Sequence, residues 1–396
     1  MTTRTLGLGM LIALGCAPDP TLFGATAEGT AGGSGGSEGG GATGGATTSE
    51  ETTGPAGCLD DCAGEVLWTH ELDEWSLDMA IEADGTAVLV TGKLGQTARI
   101  VRHREDGSPS AEILNDGPGG LEAVAVGGPT VVSVNPPGDV TELRQVGADG
   151  LGAVWARTGE HEGQSSPSKV SSGAAGWTHV AGTERAPGGG SDRAWVDVFA
   201  PDGTLSSTWT RDFDAVSIDG WVSAVSSREA GAFDVALWSQ HEGVEFVTLI
   251  RVTAEGTQGG SVALDSSMRA VVPRGEGFTV MSYADGGVSL GELDAELEFA
   301  GPIAVDPLPP DAWPQTAVAI PDGTLVATMR LGLPLSLELR RYDTAGARVG
   351  ITTVAPVSPT SSPEWAKLAA RGDVVYMLGE DSDGDASIGW LRRIAL

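Results

Sequence analysis

From residue 64 to the C-terminus, apolar residues recur in short alternating stretches separated by Gly, Asp and Pro, and no long run keeps the spacing of a helix face. This pattern predicts an all-β body. The stretches also follow a fixed order. A first strand and a turn are readable in LDMAIEADG, LEAVAVGGP, PSKVSSGAAG, VSAVSSREAG, MRAVVPRGEG, TAVAIPDG and WAKLAARGD, which start near Leu77, Leu121, Pro167, Val222, Met268, Thr316 and Trp365. A second strand follows each at once, as TAVLVTG, TVVSVN, GWTHVAG, FDVALWS, GFTVMSY, GTLVATM and DVVYMLG. A third comes after it, as ARIVRHREDG, TELRQVGADG, AWVDVFAPDG, TLIRVTAEG, VSLGELDAE, LELRRYDTAG and GWLRRIAL. Several third strands end in Asp-Gly or Glu-Gly, where the chain reversal needs a residue tolerant of positive φ.

The units repeat every 40 to 50 residues or so, the period of propeller blades. A fourth strand is visible after several turns, most clearly in GAVWART around Trp155 and SSTWTRD around Trp209. The last unit lacks one, because the sequence stops at Leu396. A matching segment, EVLWTHEL around Trp68, precedes the first unit. An N-terminal strand that completes the last blade removes an open sheet edge, so the count predicts a seven-bladed β-propeller sealed by the segment near Trp68.

The units resemble the seven-bladed propeller repeats of many bacterial secreted proteins and lipoproteins. Ile81-Glu82-Ala83-Asp84-Gly85 through Val90-Thr91-Gly92 carries the likeness best, and Ala319-Ile320-Pro321-Asp322-Gly323 second. Asp149-Gly150 followed by Trp155, and Asp202-Gly203 followed by Trp209, faintly resemble the quinoprotein-type repeat. The resemblance implies architecture, because such propellers host many functions.

Upstream of the repeats the chain reads as an address. Arg4 and the apolar run Leu6 to Leu14, too short to span a bilayer, predict a signal peptide over residues 1–15. Ala13-Leu14-Gly15-Cys16 resembles the lipobox of bacterial lipoproteins, which implies acylation of Cys16 and a membrane anchor there, with the domain at the cell envelope, on the outer membrane or at the cell surface. Ala13 and Leu14 depart from that motif's preferred residues. Residues 16–57 are dominated by Gly, Ser, Thr, Ala and Glu from residue 24 onward and predict a flexible tether with a reach on the order of 30 Å. The propeller domain is then residues 58–396. Besides Cys16 the cysteines are Cys58 and Cys62, and an exported chain meets an oxidising compartment, so a small Cys58–Cys62 disulfide is expected.

Charge narrows the partners. With 23 basic and 54 acidic residues the formal net charge is −31, which argues against nucleic acid and against basic attachment to anionic lipid. His70, His103, His161, His179 and His241 stand singly, so no metal site and no cofactor is expected. Asp381-Ser382-Asp383-Gly384-Asp385 alternates oxygen ligands, but Ala386 and Arg392 stand where a calcium loop needs Gly and Glu, and it reads as a solvated acidic turn. The Gly32-Gly33-Ser34-Gly35-Gly36 string lies in the tether, without the strand-to-helix context of a hydrolase nucleophile. The most suggestive recurrence is a tryptophan with acidic company before a first strand: Trp75, Trp221, Trp313 and Trp365. Gathered at one mouth, such rings suit sugars or cationic groups, although each could equally be a wedge between blades. The sequence therefore reads as a monomeric, non-enzymatic binding scaffold for a carbohydrate, a peptide or an envelope protein. The alternative is an enzyme acting on polysaccharide or using a quinone-type cofactor.

Overall fold

The computed structural model describes Ala25–Thr26 and residues 65–396, apart from short stretches at 73–75, 93–97, 116–119, 128–129, 136–141, 148–149, 158–163, 174, 186–191, 214–218, 242–243, 265–267, 285, 331–335 and 384–385. The alternating pattern becomes seven antiparallel blades. Blade 1 consists of Ser76–Ile81, Ala87–Thr91, Arg99–His103 and Pro109–Leu114. Blades 2 to 6 repeat the meander, with first strands at Gly120–Val126, Gln164–Ser172, Asp219–Ser227, Met268–Arg274 and Ala312–Ile320.

Blade 7 takes three strands from the end of the chain, Ser362–Arg371, Val374–Asp383 and Ala386–Ile394. Its outer strand is Val66–Leu72, antiparallel to Ala386–Ile394 with Trp68 opposite Arg393 and Leu72 opposite Gly389. The ring is closed as the sequence predicts. Within the tether region, Ala25 and Thr26 pair in parallel with Ala369 and Ala370 on the first strand of blade 7.

Closure is equally visible in the packing. There are seven apolar cores, each shared by two adjacent blades. The seventh sets Met79, Ile81, Ala87 and Leu89 of blade 1 against Ala369, Tyr376, Leu378 and Leu391 of blade 7. A strand lying between two such cores is apolar on both faces, which is why Ala87–Thr91 is buried at every residue. Outer strands such as Gln258–Leu264 alternate between exposed and half-buried positions instead.

Each first strand also carries one extra residue. The register breaks at Leu77, Glu122, Ser168, Ser223, Arg269, Gln315 and Glu364, and in blade 7 the break lies farther from the first-to-second turn than in blades 5 and 6. Such bulges add local twist. Side chains of one blade then serve the backbone of the next: Val124 N–H donates to Asp78 Oδ2 at 2.9 Å, and Ser227 N–H to Ser171 Oγ at 2.9 Å. Lys367 of blade 7 closes the same arrangement by pairing with Asp78.

The turns that made the repeat legible behave as their residues require. Gly107 and Gly203 have φ of +84° and +82°, and Asp106 and Asp202 accept the N–H of Ser108 and Thr204 at 2.9 and 3.0 Å. Blade 5 breaks the pattern by placing Leu297, at φ +63°, where the others have glycine.

Candidate functional site

In a four-stranded meander, the first-to-second and third-to-fourth turns lie on one face of the ring. The remaining connections lie on the other. The turn face is built from tight reversals such as Arg104–Ser108 and Ala200–Thr204. On the opposite face the strand ends to be joined are farther apart in sequence, as from Thr91 to Arg99 and from Arg185 to Arg193. Binding residues concentrate on such loops over a rigid scaffold.

The tryptophans divide between these faces. On the turn face they pack over glycines of a neighbouring blade. A Cβ on Gly107 would lie 3.0 Å from the Trp68 ring, one on Gly203 2.8 Å from Trp155 Nε1, and one on Gly231 2.9 Å from the Trp177 ring. Trp195, Trp209 and Trp390 are buried. Trp221, Trp238, Trp313 and Trp365 lie toward the long-loop face, each half-buried. Trp221 and Trp238 are cross-strand partners whose rings stack with centroids 3.7 Å apart at 17°. Such a pair is worth about 0.5–1.5 kcal/mol beyond its burial. Trp313 stands opposite Met329, beside an Asp311–Arg330 ion pair at 3.3 Å.

Register places the expected tryptophans at one level and separates them only by where the bulge falls. Trp221 and Trp313 each lie two residues before the bulge of their strand, at Ser223 and Gln315. Trp365 follows its bulge residue Glu364 directly, yet it stands at the level of the others: Trp313 faces Met329 and Trp365 faces Glu380, at equal distances along the second strand from Gly323 and Val374. There it packs against the core shared by blades 7 and 1, and its Nε1 donates to Glu380 Oε2 at 2.8 Å. Trp365 therefore matches the other two in level, and it packs on the seam between blades 7 and 1 as Trp238 packs on the core shared by blades 4 and 5. Trp75, Cys16, Cys58 and Cys62, and the serine string of the tether, lie outside the described residues. Trp238 was not singled out by the sequence pattern, because it sits inside a second strand; its pairing with Trp221 appears only with the register.

In the run Asp381 to Asp385, Asp381 departs from the sequence reading, and the side chains of Asp383 and Asp385 lie outside the described residues. Asp381 is 1% exposed, not solvated. It accepts hydrogen bonds from Trp390 Nε1 at 2.7 Å, Val357 N–H at 2.6 Å and Ser361 Oγ at 3.1 Å. Its oxygens are thus committed to holding the inter-blade connection. Among the described residues, no cluster of three or more His, Cys, Asp or Glu side chains is arranged to hold a metal.

The buried histidines belong to seams. Burial pushes the His179 imidazole down to about 4, opposed by its hydrogen bond with the Gly231 carbonyl at 3.1 Å. His103 is also held below the usual imidazole range, first by burial and then by His70, whose ring lies 4.5 Å away on the closing strand. The interface between blades 5 and 6 is locked by Asp306, which accepts from Arg340 Nη1 at 2.9 Å and from the Tyr342 hydroxyl at 2.8 Å.

No protein-family model matches the chain, and no curated protein sequence does. Solved structures do. Virginiamycin B lyase from Staphylococcus aureus, crystallised as an inactive H270A form with quinupristin, matches 82% of this chain and 99% of its own at 13% identity and a TM-score of 0.50. The selenomethionine form of that lyase matches 83% of this chain and 99% of its own at 11% identity and a TM-score of 0.51. One of two prolyl endopeptidases matches 74% of this chain and 43% of its own at 14% identity and a TM-score of 0.49.

Proposed function

Starting from a seven-bladed β-propeller closed by its N-terminal strand, we propose that this protein is a non-enzymatic cell-envelope lipoprotein, anchored through Cys16, whose long-loop face binds a carbohydrate. The stacked Trp221–Trp238 pair carries the reading. The tight turns of the opposite face account for Trp68, Trp155 and Trp177, whereas Trp238 rests on the core shared by blades 4 and 5 with Trp221 stacked on it toward the long-loop face. A pyranose ring stacks on a flat indole through its C–H face, and the acidic surroundings favour neutral or amino sugars over anionic ones.

The test is a glycan array probed with the full chain, followed by titration of the best glycan against Trp238→Ala, Trp221→Ala and a Trp155→Ala control. Loss of at least tenfold in affinity in the first two, with little change in the control, supports the reading. Equal binding by all three variants, or no glycan bound at all, overturns it. Anchoring is tested separately by fatty-acid labelling of the chain and of Cys16→Ser. Label retained by the variant would remove the lipoprotein assignment.

A further inference from the structure

Before its outer strand at Val66, the chain meets the ring once more. Ala25 and Thr26 pair with Ala369 and Ala370 along the free edge of the first strand of blade 7. The first strands form the inner wall of the ring, where those of successive blades meet, as Ser76–Ile81 meets Gly120–Val126 and Ala312–Ile320 meets Ser362–Arg371. Ala25–Thr26 also comes close to Ala312–Ile320 of blade 6. It therefore lies inside the ring, beside the seam between blades 6 and 7.

That seam lacks an acceptor that an earlier seam has. Between blades 3 and 4, Ser171 Oγ accepts the Ser227 N–H at 2.9 Å, which satisfies a donor on the inner edge of blade 4. Ser227 stands one residue before its turn, and Ala370 stands one residue before the turn of blade 7. By the alternation of strand hydrogen bonds, the Ala370 N–H points to the same edge. Val318 of blade 6 occupies the place of Ser171, two residues before the first turn, and its side chain accepts no hydrogen bond. An inner edge without a side-chain acceptor calls for another partner, and the backbone at Ala25–Thr26 pairs there.

The direction of pairing fixes the path. Each first strand runs from the long-loop face to the turn face, and Ala25–Thr26 is parallel to the one in blade 7. The chain before Ala25 thus leads toward the long-loop mouth of the ring, and the chain after Thr26 toward the turn mouth. The other end agrees, because Val66 faces Ile394 at the turn-face end of blade 7. Residues 27–65 therefore begin and finish on one face.

Length then limits the anchor. Cys16 lies nine residues before Ala25, and an extended chain of that length spans about 30 Å. Retracing the first strand from Ala369 to its start at Ser362 takes up about 23 Å. A chain that keeps its course brings Cys16 no more than about 10 Å beyond the long-loop mouth. Tethered from Val66 alone, fifty residues away, the same cysteine would have a contour of about 165 Å and could stand beneath either face.

We propose that the chain threads the ring from its long-loop face, so that this face is turned toward the membrane carrying the acylated Cys16. The anchor rests on the lipoprotein reading above, whereas the path does not. The Trp221–Trp238 stack then faces the membrane surface.

Spin-label distances in the full, non-acylated chain test the path. With Cys58→Ser and Cys62→Ser, one label is placed on Cys16 and the other on Thr360→Cys or Asp373→Cys. Both added positions are exposed on blade 7, Thr360 before its first strand on the long-loop face and Asp373 in its first turn. Cys16 is expected nearer to Thr360 than to Asp373 by about 10 Å or more. Ala25→Pro combined with Thr26→Pro removes both strand donors and should erase that difference. If the serine pair prevents folding, Cys58 and Cys62 are kept oxidised, since only free thiols take the label. A reversed order, equal distances, or a difference that survives the two prolines overturns the path. Orientation is read on phosphatidylcholine vesicles bearing the acylated chain, where head-group nitroxide lipids should quench a dye at Thr360→Cys several-fold more than one at Asp373→Cys. Equal or reversed quenching overturns it. A chain that gives the expected distances but takes no fatty acid at Cys16 supports the path and removes the anchor.

Discussion

Two glycines in equivalent turns separate the cost of a backbone conformation from the cost of a packed neighbour. Gly107 and Gly256 have φ of +84° and +76°, so alanine at either meets the same left-handed penalty, about 1–2 kcal/mol. Their surroundings differ. A Cβ at Gly256 would have nothing within 4 Å, whereas at Gly107 it would lie 3.0–3.3 Å from three atoms of the Trp68 ring. Forcing an extra methyl into a packed site costs a further 1–3 kcal/mol or so. Gly256→Ala should therefore destabilise by about 1–2 kcal/mol and Gly107→Ala by about 2–5 kcal/mol. Trp68→Ala should cost roughly 2–3 kcal/mol on its own, at the low end for a large aromatic because the ring is half-buried. Combined with Trp68→Ala, the excess of Gly107→Ala over Gly256→Ala should vanish, giving a coupling of about 1–3 kcal/mol. Urea unfolding followed by circular dichroism measures all five proteins without relying on tryptophan fluorescence. Equal losses for the two glycine variants, or a coupling below about 0.5 kcal/mol, would show that the closing strand is not held through this contact.

Three further outcomes follow from buried groups. His179 resists protonation in the fold, so its contribution is complete above the unfolded value near 6.5 and is lost as pH falls from there toward about 4, amounting to roughly 3 kcal/mol; His179→Gln should flatten stability between pH 7 and pH 4.5, and an unchanged slope would exclude this group. Leu297→Gly relieves a positive φ but empties a buried position, for a net loss of about 1–3 kcal/mol in urea unfolding; a stabilised variant would contradict the filling role of Leu297. Asp381→Ala should cost about 3 kcal/mol because three donors lose their acceptor, and the Tm of the parent should be the same in calcium and in chelator.

What could be read along the chain differs in kind from what could not. The seven units, their Asp-Gly reversals and the displaced outer strand at Trp68 were legible because each depends on residues close in sequence: alternation for a strand, a φ-tolerant glycine for a reversal, a missing strand at one end and a spare at the other. The bulge in every first strand was not, since no residue type marks it: Leu77, Glu122, Ser168, Ser223, Arg269, Gln315 and Glu364 have no side-chain chemistry in common. Its place varies, following Trp221 and Trp313 in their strands but preceding Trp365 in blade 7, while the three rings keep one level. Trp238, and Gly260 with Leu297, were hidden for a related reason, because each acquires its meaning from a partner on another strand or blade. A repeat protein makes its ring from the features its units share. Its sites arise where one unit fails to repeat its neighbour, and that failure can be recognised only after the register has put the two side by side.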